Sequence, residues 1–190
     1  MVPREELLYR YQTEIRPELL NPPLELPNFL KIVDKYYLWL LDVEESRLDD
    51  EFSDLKMDAF GLIVEAFMKG VGNLLNEIVS VDDNVPALEA KINEYTVWEG
   101  QAEEYDELIP GLRGRLDGTF TEGNRVIQNK LESSLLGIIA EMRGDGESPE
   151  SLNPLYLRFN DLENLVYDAS EFSLLRFLED QLQSTIDEGR

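Results

Sequence analysis

Apolar residues recur every three or four positions along almost the whole chain, and this spacing limits what the chain can fold into. In the first such series Leu7, Tyr11, Ile15 and Leu19 step by four. That spacing places apolar side chains on one face of an α-helix, whereas a half-buried strand would need alternation. No stretch shows sustained alternation. The sequence therefore predicts an all-α fold with little or no β-structure.

Proline, glycine and capping residues divide the periodic stretches. Residues 21–27 form a Pro-rich linker, and helix cannot continue through its three prolines. The segment DDNVP, residues 82–86, is typical of a helix start, and Pro110-Gly111 is typical of a helix end. These breaks predict a single-domain bundle of about six or seven helices over residues 1–190.

Two further breaks are expected in the second half of the chain. Asp117-Gly118 predicts a turn, and Thr119 with Glu122 fits a capping box that would open the next helix. Residues 144–151, GDGESPES, predict a mobile loop. Whether the second and third helices are one continuous rod stays open at this point.

Histidine and cysteine are both absent from the 190 residues. Disulfides, zinc sites of the usual kind and catalysis by Ser-His-Asp or Cys-His are therefore excluded. The composition still allows carboxylate chemistry with hard cations such as Mg²⁺. No cofactor, no metal site and no catalytic residue is predicted.

The string Asp-Gly-Thr-Phe at 117–120 matches the second half of the phosphatase signature D-x-D-G-T-[LF]. In that signature the nucleophilic aspartate stands two residues before the second Asp, and here that position is Arg115. An arginine cannot accept a phosphoryl group, so the phosphatase interpretation is excluded.

A second motif concerns metal binding. LDDEFSD, residues 48–54, resembles the aspartate-rich metal motif of class I terpene synthases, and NDLENLVYD, residues 160–168, partly resembles their second motif. This resemblance implies a Mg²⁺-dependent all-α enzyme acting on a diphosphate. Glu104 and Glu107 supply one E-x-x-E pair of the kind that helical nucleoside-triphosphate pyrophosphohydrolases use. With 40 acidic residues in the chain, such spacings also arise by chance.

The charge is strongly negative and unevenly distributed. The net charge is −23, and residues 36–107 hold 19 acidic side chains against 4 basic ones. Such a field repels nucleic acid and anionic membranes and attracts cationic partners. We therefore expect a protein partner with a basic surface, no direct nucleic-acid binding and no membrane binding.

The residues chosen for that contact lie around YYLWLL, residues 36–41. Six large apolar residues in a row cover every face of a helix, so either the helix is buried all round or one side is exposed as an anchor. Trp39 is the anchor candidate. The steering candidates are the acidic residues that follow: Asp49, Asp50, Glu51, Asp54 and Asp58.

Together these features favour a non-enzymatic helical interaction module, such as an adaptor, assembly factor or regulator. One alternative is a DNA mimic that inhibits a nucleic-acid-binding protein, with Asp42, Glu45 and Asp49 as one charged row and Asp50, Asp54 and Asp58 as another. The other alternative is the Mg²⁺-dependent enzyme. The chain contains no membrane-spanning stretch and is charged from residue 4, so a soluble, cytoplasmic protein is expected. Homo-oligomerisation stays open.

Overall fold

The structure is a computed structural model that describes residues 1–82 and 84–144, together with residue 161. These residues are helical, with no strand among them, as the spacing of apolar residues predicts. The helices are α1 (Arg4–Arg10), α2 (Arg16–Leu20), α3 (Leu26–Glu45), α4 (Ser53–Ser80), α5 (Val85–Asp106) and α6 (Leu112–Gly144), and a π-helical turn (Tyr11–Ile15) joins α1 to α2.

The N-terminal segment, comprising α1, the π-helical turn and α2, forms one continuous helical path. Its four-residue series of apolar side chains is buried, with Leu7 and Tyr11 at 0% exposure. The N–H of Arg16 donates to the Tyr11 carbonyl, five residues earlier. Pro17 follows at the start of α2, where its missing N–H is tolerated. The N-terminal segment is thus helical over the whole predicted apolar series, from Leu7 to Leu19, and departs from a regular α-helix at this wider turn.

Helices α3 and α4 are separate. At the end of α3 the N–H of Arg47 donates to the Glu44 carbonyl and the N–H of Leu48 to the Val43 carbonyl, both at 3.0 Å. Arg47 has a φ of 58°, in the left-handed region. This pair of bonds is a Schellman motif, which satisfies the last carbonyls of a helix and turns the chain away from its axis. The motif decides the question that the sequence leaves open.

The break between α4 and α5 follows the sequence prediction. The Oδ1 atom of Asn84 accepts a hydrogen bond from the N–H of Ala87 at 3.1 Å, as an N-cap does, and Pro86 lies in the first turn of α5. The Nζ of Lys130, on α6, donates to the Val79 and Val81 carbonyls at 3.1 and 2.5 Å. These bonds satisfy carbonyls at the end of α4, where the helix itself offers no donors.

The predicted turn at Asp117-Gly118 and the predicted helix start at Thr119 are wrong. Helix α6 begins at Leu112 and continues through all three residues. Leu112, Leu116 and Phe120 recur at four-residue spacing and are at most 1% exposed. Burial of this stripe outweighs the weak turn propensity of Asp-Gly and the helix cost of one glycine, which is about 1 kcal/mol.

The start of α6 uses a different cap. Gly111 has a φ of 92°, a conformation that glycine adopts without strain. The backbone N–H of Arg113 donates to Oδ1 of Asp106 at 2.9 Å. Helix α5 ends at Asp106, four residues before the predicted break at Pro110-Gly111, and α6 begins directly after Gly111.

The described residues belong to two compact units. The first comprises residues 1–73 and 95–120, and the second comprises the described residues of 74–94 and those that follow residue 120. The core of the first unit is aromatic: the ring of Trp39 lies 5.0 Å from that of Tyr11 and 5.9 Å from that of Phe52. The second unit buries aliphatic side chains, namely Leu74, Ile78, Val85, Leu88, Ile92, Ile127, Leu131 and Leu135.

Several predictions made from the sequence concern residues outside this description. The predicted loop at 144–151 lies there apart from Gly144, the last residue of α6, and so do residues 152–190 apart from Asp161. The total of six or seven helices and the single domain over 1–190 therefore stay predictions. Within residues 1–82 and 84–144, no helix has the length and the uninterrupted apolar character that crossing a bilayer requires.

Candidate functional site: an apolar groove with an acidic rim

The structure places Trp39 in the core of the first unit. Its side chain is fully buried, and its Nε1–H donates to the Leu7 carbonyl at 2.8 Å. Of the two interpretations of YYLWLL, central burial therefore holds for this residue. Trp39 is not an exposed anchor in this structure, and the exposed side chains of that stretch are instead Leu38 and Leu41, at 59% and 41%.

Three of the five predicted steering carboxylates, Asp49, Glu51 and Asp58, are paired with neighbouring cations. Asp58 accepts hydrogen bonds from the Tyr11 hydroxyl at 2.6 Å and from Nε of Arg16 at 3.0 Å. Asp49 lies 3.6 Å from Nζ of Lys56. These charges are partly neutralised within the chain, so they attract a partner less than their number suggests.

The third paired carboxylate is Glu51, which contacts Arg4. The remaining two, Asp50 and Asp54, are exposed, and neither forms a side-chain ion pair with any residue that the structure describes. They lie on either side of Ser53, the first residue of α4.

The two charged rows expected of a DNA mimic are not continuous helical rows. Helix α3 ends at Glu45, before Asp49, and α4 begins at Ser53, after Asp50. Asp42, at the start of the first row, is paired with Arg10 at 2.8 Å. The alternation of free and paired carboxylates differs from the evenly charged backbone that such a mimic would imitate.

The motifs linked to metal chemistry do not converge in the described part of the chain. No three carboxylates among these residues lie close enough together to hold one metal ion. LDDEFSD spans the turn before α4 and the first residues of that helix, while Glu104 and Glu107 are exposed at the end of α5. The second motif, residues 160–168, lies outside the described residues apart from Asp161.

A groove of about 670 Å³ opens on the first unit, next to the acidic stretch. Its walls are the C-terminal half of α3, the first turns of α4, and the α5–α6 connection with the first turn of α6. The lining residues are Tyr36, Tyr37, Leu40, Leu41, Glu44, Asp49, Ser53, Lys56, Met57, Phe60, Gly61, Glu107, Leu108, Ile109, Pro110 and Arg115.

The floor of the groove is apolar and well fixed. The Tyr36 hydroxyl donates to the Lys56 carbonyl at 3.4 Å, and burial raises the pKa of Tyr36 above its usual range, so the ring stays neutral. A Cβ atom added at Gly61 would meet no heavy atom within 4 Å. The groove is therefore open at this glycine, where a side chain would occupy part of it.

The exposed edge of the groove carries large apolar side chains. Met57 is 74% exposed and Leu41 is 41% exposed. Methionine adapts its shape to different partners and is frequent at surfaces that bind other proteins.

The rim of the groove carries charges of both signs with an acidic excess. Lys56 is paired with Asp49, and Arg115 lies 6.0 Å from the centre of the Phe60 ring. Glu44 and Glu107 stand on different walls, and neither forms an ion pair with a described residue. Asp50 and Asp54 adjoin the lining residues Asp49 and Ser53 in the sequence but do not themselves line the groove.

Sequence reasoning identified the acidic stretch but missed the groove beside it. Its lining residues come from three separate segments of the chain, and no local sequence pattern indicates that these segments are neighbours in the fold. One usable signal was present: residues 37, 40, 41 and 44 repeat the spacing of a helix face. A search for helix faces that are apolar but not assigned to the core would have identified this face of α3.

Comparison of this chain with protein-family models, with curated protein sequences and with solved structures finds no match to any of the three.

Proposed function

We propose that this chain is a non-enzymatic interaction protein that binds a basic segment of a partner protein in the groove. The observation that carries the proposal is an apolar floor set between unpaired carboxylates, Glu44 and Glu107. Apolar contacts supply most of the affinity at such a surface, while charge selects the partner. The proposed surface keeps Asp49, Asp50 and Asp54 from the sequence prediction and replaces Trp39 with Leu41 and Met57 as apolar anchors.

The charge of the whole chain supports the same class of partner. With a net charge of −23, the protein attracts cations from a distance and repels nucleic acid. The first candidate is thus an adaptor, assembly factor or regulator, and a cytoplasmic location is part of the proposal. No arrangement among the described residues favours the DNA mimic or the Mg²⁺-dependent enzyme over this function.

A charge-reversal experiment on the full-length protein tests the proposal. The probe is a fluorescent peptide of leucine, lysine and alanine, and its dissociation constant is measured by anisotropy. The double variant Glu44→Lys/Glu107→Lys is expected to weaken binding about tenfold or more, equivalent to about 1.4 kcal/mol. The matched control is Glu65→Lys/Glu103→Lys, which changes the net charge equally at exposed positions outside the groove.

The control distinguishes binding in the groove from attraction by the net charge of the whole protein. If both double variants weaken binding equally, the peptide is held by the net charge of the protein and the proposal fails. Duplex DNA is not a usable competitor with this probe, because it binds the lysine-rich peptide itself. An experiment with the natural partner, once it is known, separates mimicry directly, because DNA would displace a mimic from it.

A further inference from the structure

The two long walls of the groove have the same periodicity. On α3 the lining residues Tyr37, Leu40, Leu41 and Glu44 stand at i, i+3, i+4 and i+7. On α4 the lining residues Ser53, Lys56, Met57 and Phe60 repeat that spacing. A stripe of this kind is one face of a helix, and it is the pattern by which helices pack side by side.

Two such stripes that line one groove form a binding site for a third helix, called the seat below. Binding by strand addition needs an exposed sheet edge, and the described residues contain no sheet. A helix instead inserts side chains from successive turns between the residues of both walls. Each wall covers eight residues, or about 10 Å along its axis, so the seat accommodates about two turns of a bound helix.

Gly61 adds depth to this seat. It follows Phe60 on α4, and the space where its side chain would stand is open. A helix packs closely against a glycine because no Cβ keeps it away. We expect the largest apolar side chain of the bound helix to lie against Gly61, with cations of the helix toward Glu44 and Glu107.

The charge of the chain indicates whether the bound helix belongs to this protein or to another one. Residues 144–190 hold 11 acidic and 3 basic side chains, and a second copy of the chain carries the same net charge of −23. Both would bring further negative charge to a rim that already has an acidic excess. We infer that the groove binds a basic amphipathic helix of another protein, an inference that rests on the proposed function and specifies the partner's conformation.

Three peptides of about fourteen residues test the inference against the full-length protein. The first places its leucines at i, i+3, i+4 and i+7 and its lysines elsewhere. The second has the same composition, scrambled so that the leucines share no face. The third is the first with a central proline, which breaks the helix. The first is expected to bind at least tenfold more tightly than either of the others.

Methyl NMR locates the contact. Met57 lines the groove, whereas Met68, also on α4 and 47% exposed, does not. The first peptide is expected to shift the Met57 methyl signal and to leave that of Met68 in place. Gly61→Leu is expected to abolish this binding, and Gly72→Leu is its control, because a Cβ at Gly72 also meets open space but lies outside the groove.

The outcomes distinguish the inference from the proposed function. If all three peptides bind equally and still shift Met57, a basic segment binds without being helical, and only the inference fails. If no peptide shifts Met57, or if Met68 responds equally, both fail. If a photo-crosslinker at position 57 in the free protein links to residues 145–190 or to a second copy, the groove has an acidic occupant and the inference is overturned.

Discussion

At the scale of single residues, the packing of Gly70 is the tightest constraint that the structure shows. A Cβ atom at this position would lie against the indole of Trp98, 2.8 Å from Cζ2. Real Cβ atoms do not approach a ring carbon so closely, and the ring is only 5% exposed. Gly70 is therefore required for the contact between α4 and α5 in the first unit.

We expect Gly70→Ala to lower the free energy of unfolding by about 1–3 kcal/mol, because the indole has to move within a filled core. Gly72, on the same helix, provides the control: its Cβ would meet no atom within 4 Å. Gly72→Ala should raise the free energy of unfolding by about 0.5–1 kcal/mol, the gain that alanine gives in a helix. Urea unfolding followed by circular dichroism measures both, and equal effects of the two substitutions would contradict the packing argument.

For single residues, the sequence analysis predicted which apolar side chains are buried but not which carboxylates are ion-paired. Most apolar residues named from the spacing are buried, because burial is what the spacing records. Whether a carboxylate is paired with a cation does not follow from sequence spacing. Sequence reasoning cannot separate Asp54, which is unpaired among the described residues, from Asp58, which accepts hydrogen bonds from Arg16 and Tyr11. That distinction depends on residues 42 and 47 positions away, which only the fold brings near.

At the scale of elements, the end of α3 determines where the groove begins. The Schellman motif at Ser46–Leu48 stops α3 just after Glu44 and lets the chain return as α4. Without it the two helices would form one rod, and their stripes would not face a common space. The residue that takes the left-handed conformation is an arginine rather than the usual glycine.

Arg47→Gly should therefore stabilise the protein. A non-glycine residue in the left-handed region costs roughly 1–2 kcal/mol, and glycine loses part of that gain through its greater freedom in the unfolded chain. We expect the free energy of unfolding to rise by about 0.5–1 kcal/mol in urea titrations. Arg47→Ala, which keeps the strain and removes the charge, is the control and should give no gain.

Capping explains why one helix start was predicted correctly and another was not. Asn84 and Pro86 agree with each other and with the apolar series that follows, so the start of α5 could be located. At Thr119 the capping box competed with a buried stripe beginning at Leu112, and the stripe prevailed. Local capping patterns decide a boundary only where no longer-range burial opposes them.

At the scale of the whole molecule, four buried tyrosines make stability depend on alkaline pH. Burial raises the pKa of Tyr11, Tyr36, Tyr95 and Tyr105 above the usual value, and hydrogen bonds to Asp58 and Asp34 add to the effect at Tyr11 and Tyr105. In the unfolded chain these side chains lose their protons from a pH of about 10. In the folded chain they keep them to higher pH.

The stabilisation is complete below a pH of about 10 and is lost as the pH rises from there through the raised pKa values. Each tyrosine then lowers the free energy of unfolding by up to about 1.4 kcal/mol per pH unit. Urea unfolding between a pH of about 8 and 11 measures the slope. Tyr11→Phe should reduce the slope, while Tyr9→Phe, at a position 64% exposed, controls for the loss of a hydroxyl. An equal slope in all three proteins would show that buried Tyr11 does not titrate as expected.

Fold class was predictable from the whole sequence, and the candidate site was not. The all-helical character follows from spacing alone, since it needs no knowledge of which helices are neighbours. The groove needs that knowledge, because α3, α4 and the α5–α6 connection supply its walls from residues 36–61 and 107–115. Composition indicated the sign of the partner's charge but not the place where the partner would bind.

The arrangement of floor and rim in the groove also has a kinetic consequence. Carboxylates at the rim act on a cationic ligand before contact, so they set how fast it arrives and how strongly that rate depends on salt. The floor around Gly61 acts only after the ligand is seated, so it sets how long the complex lasts. Arrival and residence are thus controlled by different residues of one groove, and either can change while the other stays the same.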